Sequence, residues 1–327
     1  HMVLSRFLER TKLQQFEMEE DEDIMDAPDV AMLCAIAQHD EALLALRAIG
    51  GLHALSLVAA EGEITALEAL QKACSGDATV LLEGDTYISM RGLVSSDEHG
   101  AAYREHSPTW RKLESLAFEL LGDLCSGSVK GRKAVASADT CLICVARAMR
   151  LISSHQNKNG ASKENTPDET DDEMDEEVDV SEKFPEAEPH PDDLALAAAA
   201  AGFLSALSSA AIVRDTVCRD GDFLEALSQS AISSPSDELQ FGTLKLLVST
   251  APYVSAEGPL FADALAEVLV SALSSDKKYK SSSTFNANRV HQAAASGLLV
   301  VFDSLSTDTQ KKTAACLAKH FSKSVKS

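Results

Sequence analysis

An all-α fold is what this sequence predicts, and three observations carry the prediction. The 327-residue chain draws its apolar content from Ala and Leu, while aromatic residues make up only 5%, with 1 Trp and 4 Tyr. Ala has the highest helix propensity, whereas strands lean on Val, Ile, Thr and aromatics. Second, segments such as ALEALQKACSG, SLAFELLGDLCSG, AAGFLSALSSA and FGTLKLLVSTA place apolar residues at i, i+3, i+4 and i+7, the spacing of a helix with one buried face. Third, these segments recur behind a second kind of segment, so the chain is periodic as well as helical.

The elements follow in order along the chain. His1 and Met2 read as a cloning scar, and residues 3–28 form an N-terminal segment that ends in an acidic run. Residues 29–151 hold a first set of helices, broken by a polar insert at 97–108. Residues 152–192 are an acidic loop, and 193–327 hold a second set of helices ending in a basic one.

The repeat emerges when AIGGLHALSLV, LLEGDTYISMRGLVSS, VASADTCLICVARAMRLISS, CRDGDFLEALSQSAISS and SAEGPLFADALAEVLVSALSS are aligned. Each has a small residue, Gly51, Gly84, Ala138, Gly221 or Gly258, ahead of a helix-period apolar stretch, and the last four end in Ser-Ser. The small residues lie about 33, 54, 83 and 37 apart; removing the two polar inserts brings the long intervals to about 42. A period near 40, built from a short helix, a longer helix and a small-residue turn, is that of a helical solenoid.

Charge sharpens the division. The formal net charge is −22, yet about 8 acidic residues lie between Glu17 and Asp29 with no basic one, and about 15 between His155 and Asp193 against 3 Lys. The remaining body is close to neutral, and the stretch from Lys277 onward is basic. Such polarised charge does not describe a general nucleic-acid binder. The acidic loop has too few apolar residues to offset the entropy of ordering and carries many like charges, so its composition predicts disorder. Thr166, followed by Pro, and Thr170, followed by Asp-Asp-Glu, resemble kinase sites; phosphorylation would add about −1.5 to −2 each. The loop is therefore also a possible electrostatic arm that modulates binding.

No apolar run approaches the roughly 20 residues that a membrane span needs. The 7 cysteines are odd in number and scattered, which fits reduced thiols in a cytoplasmic or nuclear protein better than a disulfide framework. Cys141 and Cys144 form a Cys-x-x-Cys, but no second pair accompanies it to complete a zinc site, and it opens a helix with no strand before it. His99 and His106 lie in a polar insert, a weak metal signal. Paired carboxylates abound only in solvated runs, where nothing splits their pKa values. With no phosphate loop or nucleophile motif present, the sequence predicts a non-enzymatic protein without catalytic residues, metal or cofactor.

The pattern of Glu-Gly, an apolar helix ending in Ser-Ser-Asp, then Ala-x-x-Leu-x-x-x-Leu-Cys, seen in LLEGDTYISMRGLVSSDE and LESLAFELLGDLCSG, resembles an armadillo repeat. The resemblance covers most of Asp29 to Ser324. It implies a right-handed α-solenoid of about five to six degenerate armadillo-like repeats, interrupted by the acidic loop. Armadillo proteins that clamp extended peptides carry an Asn ladder on each third helix; the matching positions here are Lys72, Asp123, Ala206 and Ser304, and Trp110 stands alone. The ladder is absent, so clamping of that kind is not expected. The resemblance implies a scaffold or adaptor that binds a protein segment in its groove, with Lys72, Asp123, Lys245, Arg289 and His291 as candidate groove residues. A chaperone module, as in the myosin-chaperone branch of the family, and a nuclear-transport adaptor are the alternatives.

Overall fold

The computed structural model describes residues 27–48, 50–95, 107–137, 139–160, 190–254, 259–274 and 284–324. All regular structure among them is helical, as the composition and periodicity predict. The α-helices are α1 (Ala27–Ala37), α2 (Asp40–Ala48), α3 (Leu52–Ala60), α4 (Ile64–Ala73), α5 (Thr86–Ser95), α6 (Pro108–Gly127), α7 (Val129–Ala136) and α8 (Cys141–Gly160). They continue with α9 (Pro191–Leu207), α10 (Ala211–Arg219), α11 (Gly221–Ser233), α12 (Asp237–Val254), α13 (Pro259–Ser274), α14 (Thr284–Val301) and α15 (Thr307–Ser324). Two 3-10 segments, Ala78–Asp85 and Phe302–Ser304, precede α5 and α15.

Local chemistry sets the ends of these helices. Ser128 accepts the Gly131 amide at 3.2 Å to start α7, and Asp220 accepts the Phe223 amide at 2.9 Å to start α11. Pro108 and Pro191 occupy first-turn positions of α6 and α9, where a missing N–H costs nothing. Gly84 and Asp85 turn the chain into α5 through positive φ values of 61° and 57°. Glycine reaches that region freely, and Asp tolerates it better than most residues.

The helices pack in two rows. In one, α1, α4, α6, α9, α12 and α14 each contact the next; in the other, α3, α5, α8, α11, α13 and α15 do so. Cross-contacts join α3 to α4, α5 to α6, α8 to α9, α11 to α12 and α13 to α14. Apolar side chains from Leu33 to Leu317 form one continuous buried cluster between the rows. At its middle the Phe118 and Phe203 rings meet at 5.4 Å between centroids, joining α6 to α9 across the acidic stretch of sequence.

Close approach in the first row depends on small residues. A Cβ placed on Gly122 would lie 3.5 Å from the Phe203 backbone, and one on Gly242 would lie 3.1 Å from the Ala201 Cβ and 3.2 Å from the Ala198 carbonyl. On α14, Gly297 performs the same service against Val248 and Leu269.

Both boundaries of the acidic loop differ from the expectation. The acidic loop does not begin at Ile152: α8 runs on to Gly160, and Ile152 is fully buried. Val145, Ala148, Met149 and Ile152 keep the i, i+3, i+4, i+7 register, so the Ser-Ser that ends α11 and α13 lies within a continuing helix in α8. At the other end α9 starts at Pro191, with His190 Nδ1 accepting the Asp192 amide at 3.3 Å. The acidic stretch with Thr166 and Thr170, most of the 97–108 insert, and the aligned Ala138 and Gly258 lie outside the described residues.

Candidate partner-binding face

Helix α9 is apolar on every side, LALAAAAAGFLSAL, because most of it is sandwiched between α6, α8 and α12. Leu196, Ala199, Ala200, Phe203, Leu204 and Leu207 are buried. The stripe left open, Ala195, Ala198, Gly202 and Ala206, has no atom beyond Cβ. A helix surface this bare is a floor, and the longer side chains of the neighbouring helices stand beside it as walls.

On the α6 side the open residues are Lys112, Glu119 and Asp123, spaced seven and four residues apart along one face. Lys112 Nζ donates to Glu68 Oε1 of α4 at 2.7 Å, and Gln71 Nε2 of α4 donates to Glu119 Oε2 at 3.0 Å. These two bonds bridge the face from α4 to α6. Lys72 continues it to the N-terminal end, pairing with Asp40 and donating to the Gln38 carbonyl at 3.1 Å. That pairing holds the Asp40 carboxyl below its usual range.

The α12 side offers Glu238, Phe241 and Lys245. Arg289 of α14 places its guanidinium 5.9 Å from the Phe241 ring centroid, extending the face by one more helix. Electrostatics also reach across α9. Partial burial pushes the Asp123 carboxyl up, and the charge of Lys245 on the opposite wall pulls it back. Glu119 is likewise raised, first by burial and then by Asp123, with Glu238 adding to the rise and the Gln71 bond opposing it.

Four of the five groove residues expected from sequence, Lys72, Asp123, Lys245 and Arg289, therefore lie along this one face. His291 does not join them. It follows Arg289 by two residues, about 200° around the helix, and its ring meets His320 of α15 at 5.7 Å. Ala206 belongs to the floor, whereas Ser304 falls in the 3-10 segment after α14. The sequence reading missed Glu119, Glu238 and Phe241. The signal was present as the i, i+4 pair Glu119 and Asp123 and the i, i+3, i+7 set Glu238, Phe241 and Lys245, but only the packing tells an open face from a buried one.

The Cys-x-x-Cys sits in the interior. Cys141 and Cys144 are 1% and 0% exposed, and burial pushes the Cys144 thiol up to about 12. Burial also raises Cys141, against an opposing pull from Arg91. Among the described residues no group of three His, Cys, Asp or Glu could hold a metal ion, and no single helix is long and apolar enough to cross a membrane. No family model matches this chain, and no curated protein matches it.

Proposed function

We propose that the two rows of helices are an armadillo-like α-solenoid, and that the chain is a non-enzymatic scaffold or adaptor whose groove receives an extended segment of a partner protein. The solenoid reading is supported by the order of contacts: each row advances one helix at a time, and each cross-contact joins sequence neighbours. A short first helix or 3-10 turn, α2, Ala78–Asp85, α7, α10 or Phe302–Ser304, precedes the second-row helices α3, α5, α8, α11 and α15.

The observation that carries the binding reading is the floor of α9. Ala198, Gly202 and Ala206 leave room for a backbone to lie close, while Asp123 and Lys245 face it with opposite charges. An extended chain presents alternating donors, acceptors and side chains, which suits a narrow floor between polar walls. Because Glu119 and Asp123 are partly desolvated with Lys245 as the nearby cation, a basic side chain of the partner belongs on the α6 wall.

The test fills the floor. A Cβ on Gly202 would meet nothing within 4 Å, so Gly202→Arg keeps the fold while placing a long side chain in the groove. Partners recovered by the wild-type protein from its native cytosol should be lost from Gly202→Arg and weakened by Asp123→Lys. An equally folded Gly202→Arg that retains every partner would place binding elsewhere.

A further inference from the structure

Among the described residues, α1 opens the first row with α4 as its neighbour in that row, and α14 and α15 close the two rows on α12 and α13. Each of these end helices has an uncovered side. On α1, Cys34 meets the Thr65 side chain of α4, and Met32, two residues earlier, lies about 200° around the helix. Met32 is 37% exposed, with Ala31 and Ala35 exposed beside it.

At the other end α14 and α15 run antiparallel. His291, early in α14, meets His320, late in α15, while Gln310 Nε2, early in α15, donates to the Phe302 carbonyl just past α14 at 3.1 Å. Gly297 marks the side of α14 that packs on α12 and α13, and Leu299, two residues on, lies about 200° around from it. On α15, Cys316 approaches Ser274 of α13, and Ala314, Ala318 and Phe321 lie about 140–200° around from Cys316. Leu299 and Phe321 are 59% and 50% exposed, and Ala314 and Ala318 are exposed as well. The side of this pair turned away from the preceding helices is therefore apolar.

In a stacked array each unit covers the one before it, and the end units need polar outer faces to stay dissolved. Neither end here has one, and the two ends differ in charge. A run of about 8 acidic residues with no basic one, 17–29, leads into α1, whereas α15 carries Lys311, Lys312, Lys319 and Lys323 against Asp308. Joining two like ends would set like charges together; joining unlike ends sets opposite charges together and continues the first row from α14 to α1.

We propose that the chain associates head to tail with a second copy of itself, the α14–α15 face of one copy seated on the α1 face of the next, so that Leu299, Phe321 and Met32 leave water. The contact is heterologous, because each copy offers one face of each kind, and association does not stop at two copies. The inference uses the contact order and the exposed residues of the row ends and does not depend on the groove reading.

Sedimentation of the whole chain tests it, with Met32→Lys and Phe321→Gln made separately. Both positions are exposed and both new residues are good helix formers, so the fold is kept. In about 0.1 M salt the wild type should gain mass with concentration past the dimer, and in about 0.5 M salt it should lose that mass. Each variant alone should associate about tenfold more weakly, the first because a cation now faces a basic surface, the second because an apolar anchor is gone. An equimolar mixture restores one intact contact, Phe321 of the lysine variant against Met32 of the glutamine variant, and should give a dimer that grows no further. The proposal is overturned if the wild type stays monomeric up to roughly 1 mM, if either variant associates as well as wild type, or if the mixture behaves as the two variants do separately. A like-to-like dimer through α15 is recognised by full association of Met32→Lys, which also overturns it.

Discussion

Arg147 of α8 holds Glu114 of α6 in a two-pronged grip, with Nε 2.7 Å from Oε1 and Nη2 3.0 Å from Oε2. Both side chains are largely buried, at 14% and 13% exposed, so the pair is screened little by water. Glu114→Ala should therefore cost about 3 kcal/mol, much of it the penalty of leaving the partly buried guanidinium without this carboxylate. The double variant Glu114→Leu with Arg147→Met should regain most of the loss, because two apolar side chains of similar size leave no charge to desolvate. Chemical denaturation of wild type, Glu114→Leu, Arg147→Met and the double variant closes the cycle. If the two single losses simply add in the double variant, the grip is not what couples the rows.

A matched pair of glycines tests the close packing of the first row. Gly242 faces Ala201 and the Ala198 carbonyl at 3.1 and 3.2 Å, and the carbonyl cannot swing away as a side chain would. Gly242→Val should destabilise by about 1–3 kcal/mol through overpacking. Gly92, inside α5, has nothing within 4 Å of the position an added methyl would take, so it should behave in the opposite sense. Gly92→Ala should stabilise by up to about 1 kcal/mol through helix propensity alone. Equal effects of the two substitutions in thermal melts would mean that α9 and α12 do not approach this closely.

These glycines also mark how far the sequence could be read. That LALAAAAAGFLSAL is a helix follows from its composition, and the repeat spacing put Gly51, Gly84 and Gly221 at helix starts. The close contacts of Gly122 and Gly242 were hidden, since a glycine inside a helical pattern looks the same against a neighbour as against solvent. Ile152 was misassigned for a related reason. Ser153 and Ser154 resemble the terminators of α11 and α13, but serine ends a helix only where the apolar register also stops, and in α8 the register reaches Ile152. On the candidate face, Asp123 follows from repeat alignment and Lys245 from its place among the polar residues of a repeat's third helix. Glu119 and Phe241 needed the third dimension, because most of their neighbours in sequence are core.

The cysteines give a direct readout of burial. Five of the seven, Cys34, Cys74, Cys125, Cys141 and Cys144, are buried, while Cys218 and Cys316 are half-buried. Desolvation pushes the Cys74, Cys125 and Cys144 thiols up to about 12, so little thiolate forms at neutral pH. Ellman's reagent should modify two thiols of the native chain promptly and the remaining five only after unfolding. Rapid modification of Cys141 or Cys144, located by mass spectrometry, would contradict the interior placement of the Cys-x-x-Cys.

The carboxylates predict two opposite dependences on pH within one molecule. Glu119 and Asp123 have folded-state values raised mainly by burial, so folding favours their neutral forms. Their contribution to stability is fully present below the ordinary carboxylate value, about 4, and is lost as pH rises through the raised folded-state values. Asp263 runs the other way. Its value is lowered by the bonds from Ser306, so its contribution is present above about 4 and is lost as pH falls through the lowered value. Relative to wild type, Glu119→Gln and Asp123→Asn should gain stability between pH 4 and pH 7, within the roughly 0.5 kcal/mol typical of exposed positions. Asp263→Asn should be less stable than wild type at pH 7, with the difference closing in acid. The measurement is the difference in melting temperature from wild type across pH 3–8. A flat profile for Glu119→Gln and Asp123→Asn would show that the α6 wall is fully hydrated, which removes the electrostatic reason for a basic side chain to bind there.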